Sequence, residues 1–487
     1  MNMFQRIGVV ALLGLAAVAC TKANPAATCD NGTCTDPNFP FCDQDGVVDG
    51  TPGACIAVTC TPGQFGQCDG SAALICNAAG NGFDESACPT GCSDDTMGCT
   101  SCVADTTTCS GPVLTTCGSD GHTASTTACG IGCSEDGGAH CETLEPQYLP
   151  DVCNTTATTT ALTFANDEMD DTDKPATCTG GTVSPAGGPS ICVIHAPTIT
   201  VENGVTLTFF SSANMQSVDS SGGHAIALVA DGALTIDGVV DASAVDGTNG
   251  PGGGTIISGT YTLSTNGGGG AGFHTAGAAG AAPKASGGAA NGGPVIDAAE
   301  LATTLLGGPA ASFGGGGGGA VVLISCSGQV TIDGTVAANG GGGPGHVQVQ
   351  NGATLEGGGG GGGAGGYVVI QGARLAITGH VFANGGAGAS GAPGLHGTGT
   401  NGQDGQRSSS VAATGAPESG AGGAGGNGAL GATAPTVGGG GSNTDFAGGG
   451  GGSVGFLQTF TPSGVSADTG SADVSPAFQQ NANVETH

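Results

Sequence analysis

Three seven-residue stretches share one design: Leu234-Thr235-Ile236-Asp237-Gly238-Val239-Val240, Val330-Thr331-Ile332-Asp333-Gly334-Thr335-Val336 and Leu375-Ala376-Ile377-Thr378-Gly379-His380-Val381. Apolar residues alternate around a single glycine in each, which is the period-two signature of a half-buried strand with a permitted corner. A second apolar strand precedes each stretch, at residues 225–229, 320–324 and 367–370. Two strands and a corner, repeated with long insertions, predict the rungs of a parallel β-helix-like solenoid in which Ile236, Ile332 and Ile377 stack in an apolar column. Residues 198–210 would form the first rungs and 454–460 the last. A β-sandwich with long glycine-rich loops is the alternative. Both readings are all-β, since only residues 298–306 look capable of a helical turn.

Beyond residue 246 the composition changes, and 73 of the 102 glycines lie there. Polyglycine loses more backbone entropy on ordering than any other sequence, so one reading is long floppy loops hanging from the rungs. The other is that runs such as 420–428 and 438–452 lie as extended, polyproline-II-like segments side by side, because no side chains hold them apart. Collagen is excluded, since glycine lacks a strict period of three with abundant proline. Steps such as Asn384-Gly385-Gly386-Ala387-Gly388 resemble the glycine-rich surface proteins of mycobacteria.

Six Lys+Arg face 38 Asp+Glu, a net charge of −32. A chain this acidic repels phosphate backbones, so nucleic acid is not an expected partner. It also repels anionic lipid headgroups, so membrane attachment has to come from an inserted or covalent anchor. The hydrophobic content of 38% argues against acidic disorder.

The N-terminus supplies that anchor. Residues 1–20, MNMFQRIGVVALLGLAAVAC, place one cation ahead of a short apolar run and a small-residue stretch, the pattern of a bacterial export signal. Its end, Leu15-Ala16-Ala17-Val18-Ala19-Cys20, resembles the lipobox of bacterial lipoproteins. That resemblance implies cleavage before Cys20, lipidation of its thiol and attachment to a lipid bilayer through the acylated Cys20; a plain secretory signal cleaved near Ala19 is the alternative. Without Cys20, twenty of the 21 cysteines remain, an even number suited to pairing in an oxidising compartment.

Those cysteines repeat. Cys60, Cys68, Cys76, Cys88, Cys92 and Cys99 are followed 41 or 42 residues later by Cys102, Cys109, Cys117, Cys129, Cys133 and Cys141. A four-cysteine piece, Cys29, Cys34, Cys42 and Cys55, precedes them. Neither repeat has enough large apolar side chains to fill a core, so disulfides have to replace it. Zinc is the rival, but the repeats contain only His122 and His140. Six cysteines allow 15 connectivities, which spacing does not decide. Outside the repeats, Cys326 is expected either as a buried free thiol or paired with Cys192.

The Cys-x-Gly, Leu-x-x-Cys and Cys-x3-Cys features across residues 60–141 resemble the cysteine-rich repeats of myxobacterial surface lipoproteins, which often carry glycine-rich tails. The resemblance implies an outer-membrane, surface-exposed location and brings no catalytic residues. The expected organisation is a signal peptide at 1–20, a linker and four-cysteine module at 21–59, six-cysteine repeats at 60–101 and 102–145, a linker with an acidic loop at 146–196, the glycine-rich solenoid at 197–465 and a tail at 466–487.

Chemistry is sparse. Asp43-Gln44-Asp45-Gly46-Val47-Val48-Asp49-Gly50 spaces carboxylates as calcium loops do but lacks the third early ligand and the terminal glutamate. Residues 167–173 read as a solvated acidic loop. Polysaccharide lyases need cationic groups, and this half offers only Lys284, Arg374 and Arg407; glycosidases usually add aromatic platforms, and tryptophan is absent. The expectation is a non-enzymatic structural or adhesive surface protein, without cofactor or metal, with extracellular polysaccharide or other surface proteins as candidate partners; a carbohydrate or extracellular-matrix binding protein is the alternative.

Overall fold

The computed structural model describes residues 28–487, apart from 30–31, 40, 44–50, 58–59, 79, 81, 123, 158–159, 186, 214–222, 255–265, 284–288, 297–300, 312–313, 346, 350–352, 356, 394–396 and 443–445. The chain divides into two compact units: a cysteine-rich one reaching to residue 110 and including 114–127 and 137–139, and one formed by residues 140–487 together with 111–113 and 128–136.

In the cysteine-rich unit, Phe65–Asp69, Ala72–Cys76 and Phe83–Ala87 form a three-stranded antiparallel sheet, followed by the pair Cys92–Ser93 and Gly98–Cys99. The same order recurs along the chain as Thr107–Ser110, Val113–Cys117 and Ala124–Ala128, then Cys133–Ser134 with His140–Cys141. Sulfur takes the place of a hydrophobic centre: in the first repeat Ala73, Cys76 and Cys88 are buried, whereas Phe83 and Met97 are exposed.

The second unit is a parallel β-helix-like solenoid with three faces. On the first face, Ile191–Ala196, Ala225–Ala230, Ala320–Ile332 and Tyr367–Ile377 pair in parallel, and Phe456–Pro462 follows. The second face runs Leu162–Phe164, Ile199–Val201, Leu234–Ile236 and the C-terminal halves of the two long strands. The third runs Glu168–Asp171, Thr206–Phe210, Val239–Asp241, Thr335–Ala337, His380–Phe382 and Asp473–Ser475. Val201, Ile236, Ile332 and Ile377 fall in register, and all four are fully buried. The corner between the second and third faces requires glycine: a Cβ on Gly334 would fall on the carbonyl oxygen of Gly238, and one on Gly379 on that of Gly334.

Parallel pairing extends beyond 197–465 at both ends. Leu162–Phe164 and Glu168–Asp171 are strands within the segment read as a linker, and Asp473–Ser475 and Ala482–Thr486 are strands within the segment read as a tail. Glycine content marks the insertions, not the rungs, so it does not find these ends. The end of the second repeat, residues 128–136 and 140 onward, belongs to the solenoid unit, where Ile131 packs against the core.

The first face is buried on both sides. Its inward residues, among them Ile194, Leu228, Leu323 and Ile370, join the solenoid core. Its outward residues, among them Val193, Ala227, Val322 and Val369, form a second core with Leu144, Leu149, Phe273, Leu305 and Phe456. Cys326, on the same outward side, bonds to Cys153, and Cys192 bonds to Cys178. Cys326 is therefore neither free nor paired with Cys192, because Cys192 points into the first core and Cys326 into the second.

The glycine runs are ordered. Residues 358–373 are buried throughout, without forming helix or sheet before Tyr367. Gly359, Gly362 and Gly365 donate to the carbonyls of Ala447, Gly450 and Ser453, while Gly360, Gly363 and Gly366 donate to Pro344, Gly341 and Ala338. The carbonyls of Gly359 and Gly362 in turn accept from Gly268 and Ala271, and those of Gly361 and Ala364 from Gly315 and Gly318. Every third amide thus meets the same neighbour, as expected of extended helices with three residues per turn. The period of three that composition lacks is present in the hydrogen bonding.

Candidate functional site

Cys20, the expected lipidation site, lies outside the described residues, as do Asp45 and Asp49 of the possible calcium loop. Among the described residues no helix is long and apolar enough to cross a membrane.

The remaining expected cysteines all form disulfides. Cys29 pairs with Cys42 and Cys34 with Cys55 in the four-cysteine piece. In the first repeat Cys60 pairs with Cys76, Cys68 with Cys92 and Cys88 with Cys99. The second repeat has Cys102 with Cys117 and Cys129 with Cys141, and Cys109 and Cys133, the counterparts of Cys68 and Cys92, are also disulfide-bonded. Cys102–Cys117 and Cys129–Cys141 occupy the positions of Cys60–Cys76 and Cys88–Cys99, so these two pairings recur from one repeat to the next. The sulfurs of Cys29, Cys34 and Cys42 lie within 4.8 Å of one another, but each is engaged in a disulfide and offers no thiolate to a metal.

The acidic loop is built into the fold. Asp167 accepts the N–H of Thr206 at 2.7 Å, and Asp173 accepts Ser211 Oγ at 2.6 Å and the N–H of Ala213 at 2.8 Å. Burial alone would raise the Asp171 carboxyl; hydrogen bonds from Ser212 and the Asp173 N–H, with Lys174 nearby, outweigh it and hold the pKa below its ordinary value. These oxygens tie the loop to the start of the strand Thr206–Phe210 and to the turn that follows it. Asp170, on the inward side of the same strand, is pushed up by burial.

Three histidines of the solenoid are paired. His195 Nε2 lies 2.7 Å from Asp231 Oδ1, His224 Nδ1 lies 2.8 Å from the carbonyl of Thr172, and His380 Nδ1 lies 3.2 Å from Asp473 Oδ2. The partners of these three are carboxylates or a backbone carbonyl. In the glycine array, burial pushes Asp404 up even though it accepts the N–H groups of Gly342 and Asp246, and the carboxylates of Asp246 and Asp241 push the same way. Arg407 pairs with Asp241.

Two surface features of the solenoid lie outside these structural networks. The first is a rank of hydroxyls: Thr163, Thr200, Thr235 and Thr331 occupy successive paired positions on the outward side of the second face, and Ala376 follows. Thr163 is exposed and the other three are half-buried. The second is a groove of about 790 Å³ where that rank ends, lined by Ala376, Arg374, Gln329, Glu142, Ser466 and Asp468 among others. Gln329 Nε2 donates to Thr331 Oγ1 at 3.2 Å and so links the two. Sequence reading noted the strands but not the rank, because its members are separated by insertions of unequal length and only the pairing register aligns them. No protein-family model, curated protein or solved structure matches the chain.

Proposed function

We propose that the protein is a non-enzymatic lipoprotein of the bacterial outer membrane, anchored by an acylated Cys20 and exposed at the cell surface, where it serves a structural or adhesive role of the kind its resemblance to myxobacterial cysteine-rich-repeat lipoproteins implies. The observation that carries this reading is the glycine array packed on a solenoid: a rigid, backbone-bonded body with few charged groups between residues 334 and 466, only Glu356, Arg374, Asp404, Arg407, Glu418 and Asp445. Rigid, weakly charged surfaces suit persistent contact better than turnover, which needs titratable groups converging on a substrate. The cysteine modules supply a disulfide-stiffened spacer suited to an oxidising exterior.

Labelled palmitate fed to cells expressing the full chain should enter the wild type and be absent from Cys20→Ala. Equal labelling of both would overturn the anchor. Carbohydrate or matrix binding is a second reading, favoured by the threonine rank and the groove.

A further inference from the structure

We propose that the second face and its groove form one binding site for an extended, uncharged, β-linked glycan, with the chain lying along the solenoid axis over Thr163, Thr200, Thr235 and Thr331 and one end seated in the groove at Arg374. This deepens the carbohydrate-binding reading and rests on it.

The register supplies the periodicity. Parallel strands are spaced about 4.8 Å apart, so the four threonines form a straight row of about 14 Å. That spacing is close to the advance of one hexose in an extended glycan, so successive sugars can meet successive rungs. Each threonine offers a hydroxyl that donates and accepts, and a methyl that can lie against the C–H face of a sugar ring. The fully buried Ile199, Leu234 and Val330 beneath the row hold it in place.

The groove supplies what a row of threonines lacks, which is convergence. Arg374 and Gln329 are paired residues on adjacent strands, and Glu142, Ser466 and Asp468 line the same groove. A concave site with a few planar amide, guanidinium and carboxylate groups can satisfy several sugar hydroxyls at once and fix orientation. Charge selects the ligand class. Asp237 and Asp333 border the row, Glu142 and Asp468 offset Arg374, and the whole chain carries −32. An anionic polysaccharide is repelled; a neutral one is not.

The test uses the full-length protein with cellohexaose, chitohexaose and oligogalacturonate as probes, read by calorimetry or by line broadening of the sugar signals. At least one neutral hexasaccharide should bind and oligogalacturonate should not. The double variant Thr200→Val/Thr235→Val keeps shape and strand preference while removing two hydroxyls, and it should bind about tenfold more weakly. Arg374→Gln should weaken binding similarly, and Thr398→Val, an exposed threonine of the glycine array, should leave it unchanged. Thermal melts confirm that each variant is folded. No binding of either neutral sugar, a preference for oligogalacturonate, or equal binding by wild type and both site variants would overturn the inference. A protein that is palmitoylated but binds no sugar loses this inference alone; one that binds sugar without palmitate loses only the anchor.

Discussion

The cysteine modules and the glycine-rich solenoid hold their chains together in opposite ways. A module closes loops of 11 to 24 residues with covalent bonds around a centre in which Cys76 and Cys88 are themselves the buried side chains. The solenoid stacks aliphatic residues in register, covers its first face with a second core that includes Leu144, Phe273, Leu305 and Phe456, and packs its glycine runs backbone against backbone at the distance only glycine allows. The first strategy restricts the unfolded chain; the second relies on native packing that any added carbon disrupts.

The most severe break in that packing should be Ile332→Asp. The side chain is fully buried between Ile236 and Ile377, so the substitution leaves an unpaired charge in the core and should cost about 4 kcal/mol or more. Thr331→Asp, one residue away on the outward side, should cost under about 1 kcal/mol. Equal thermal shifts in the two variants would deny the inward column.

Disulfides sharpen the contrast next. Removing the Cys153–Cys326 bond as the double alanine variant should lower solenoid stability by about 2–4 kcal/mol, since it closes a separation of 173 residues. Reduction of the wild type under native conditions should release the modules to proteolysis while the β-sheet circular dichroism of the solenoid persists. Simultaneous loss of both would mean that the solenoid, too, depends on sulfur.

Glycine substitutions test the array. Gly317→Ala places a carbon on the carbonyl oxygen of Gly308, and Gly449→Ala places one on that of Gly360; each forces packed segments apart and should cost about 1–3 kcal/mol. In the modules the reason for glycine differs. Gly70 has φ +58° with open space around it, so Gly70→Ala meets only backbone strain of about 1 kcal/mol. Melts in which Gly449→Ala is harmless would return the runs to loose loops.

The smallest effect is electrostatic. Asp170 and Asp404 have folded-state pKa values above the ordinary 3.8, so ionisation opposes folding, and stability should rise as pH falls from neutral through those raised values. Asp171 lies below 3.8, so its contribution is complete above 3.8 and lost as pH falls through its lower folded value. Asp404→Asn should flatten the mild-acid gain, whereas Asp171→Asn should flatten the loss at lower pH. Unchanged melting profiles in both variants would remove these carboxylates from the account.

Local pattern alone determined the all-β class, the inward Ile236, Ile332 and Ile377 and the cysteine period, because each is a matter of regular spacing along the chain. Tertiary structure decided the rest. The partners of Cys326 depend on which side of a strand its sulfur takes relative to two different cores, and its neighbours in sequence do not specify the second core. The first and last rungs, at Leu162–Phe164 and Asp473–Ser475, are three-residue strands whose signal becomes visible only beside their parallel neighbours. The threonine rank is aligned by register across insertions of unequal length. The order of the glycine runs is the clearest case: a single run has nothing to bury and would remain disordered, but when neighbouring runs accept and donate every third hydrogen bond, close backbone packing offsets the entropy that glycine loses.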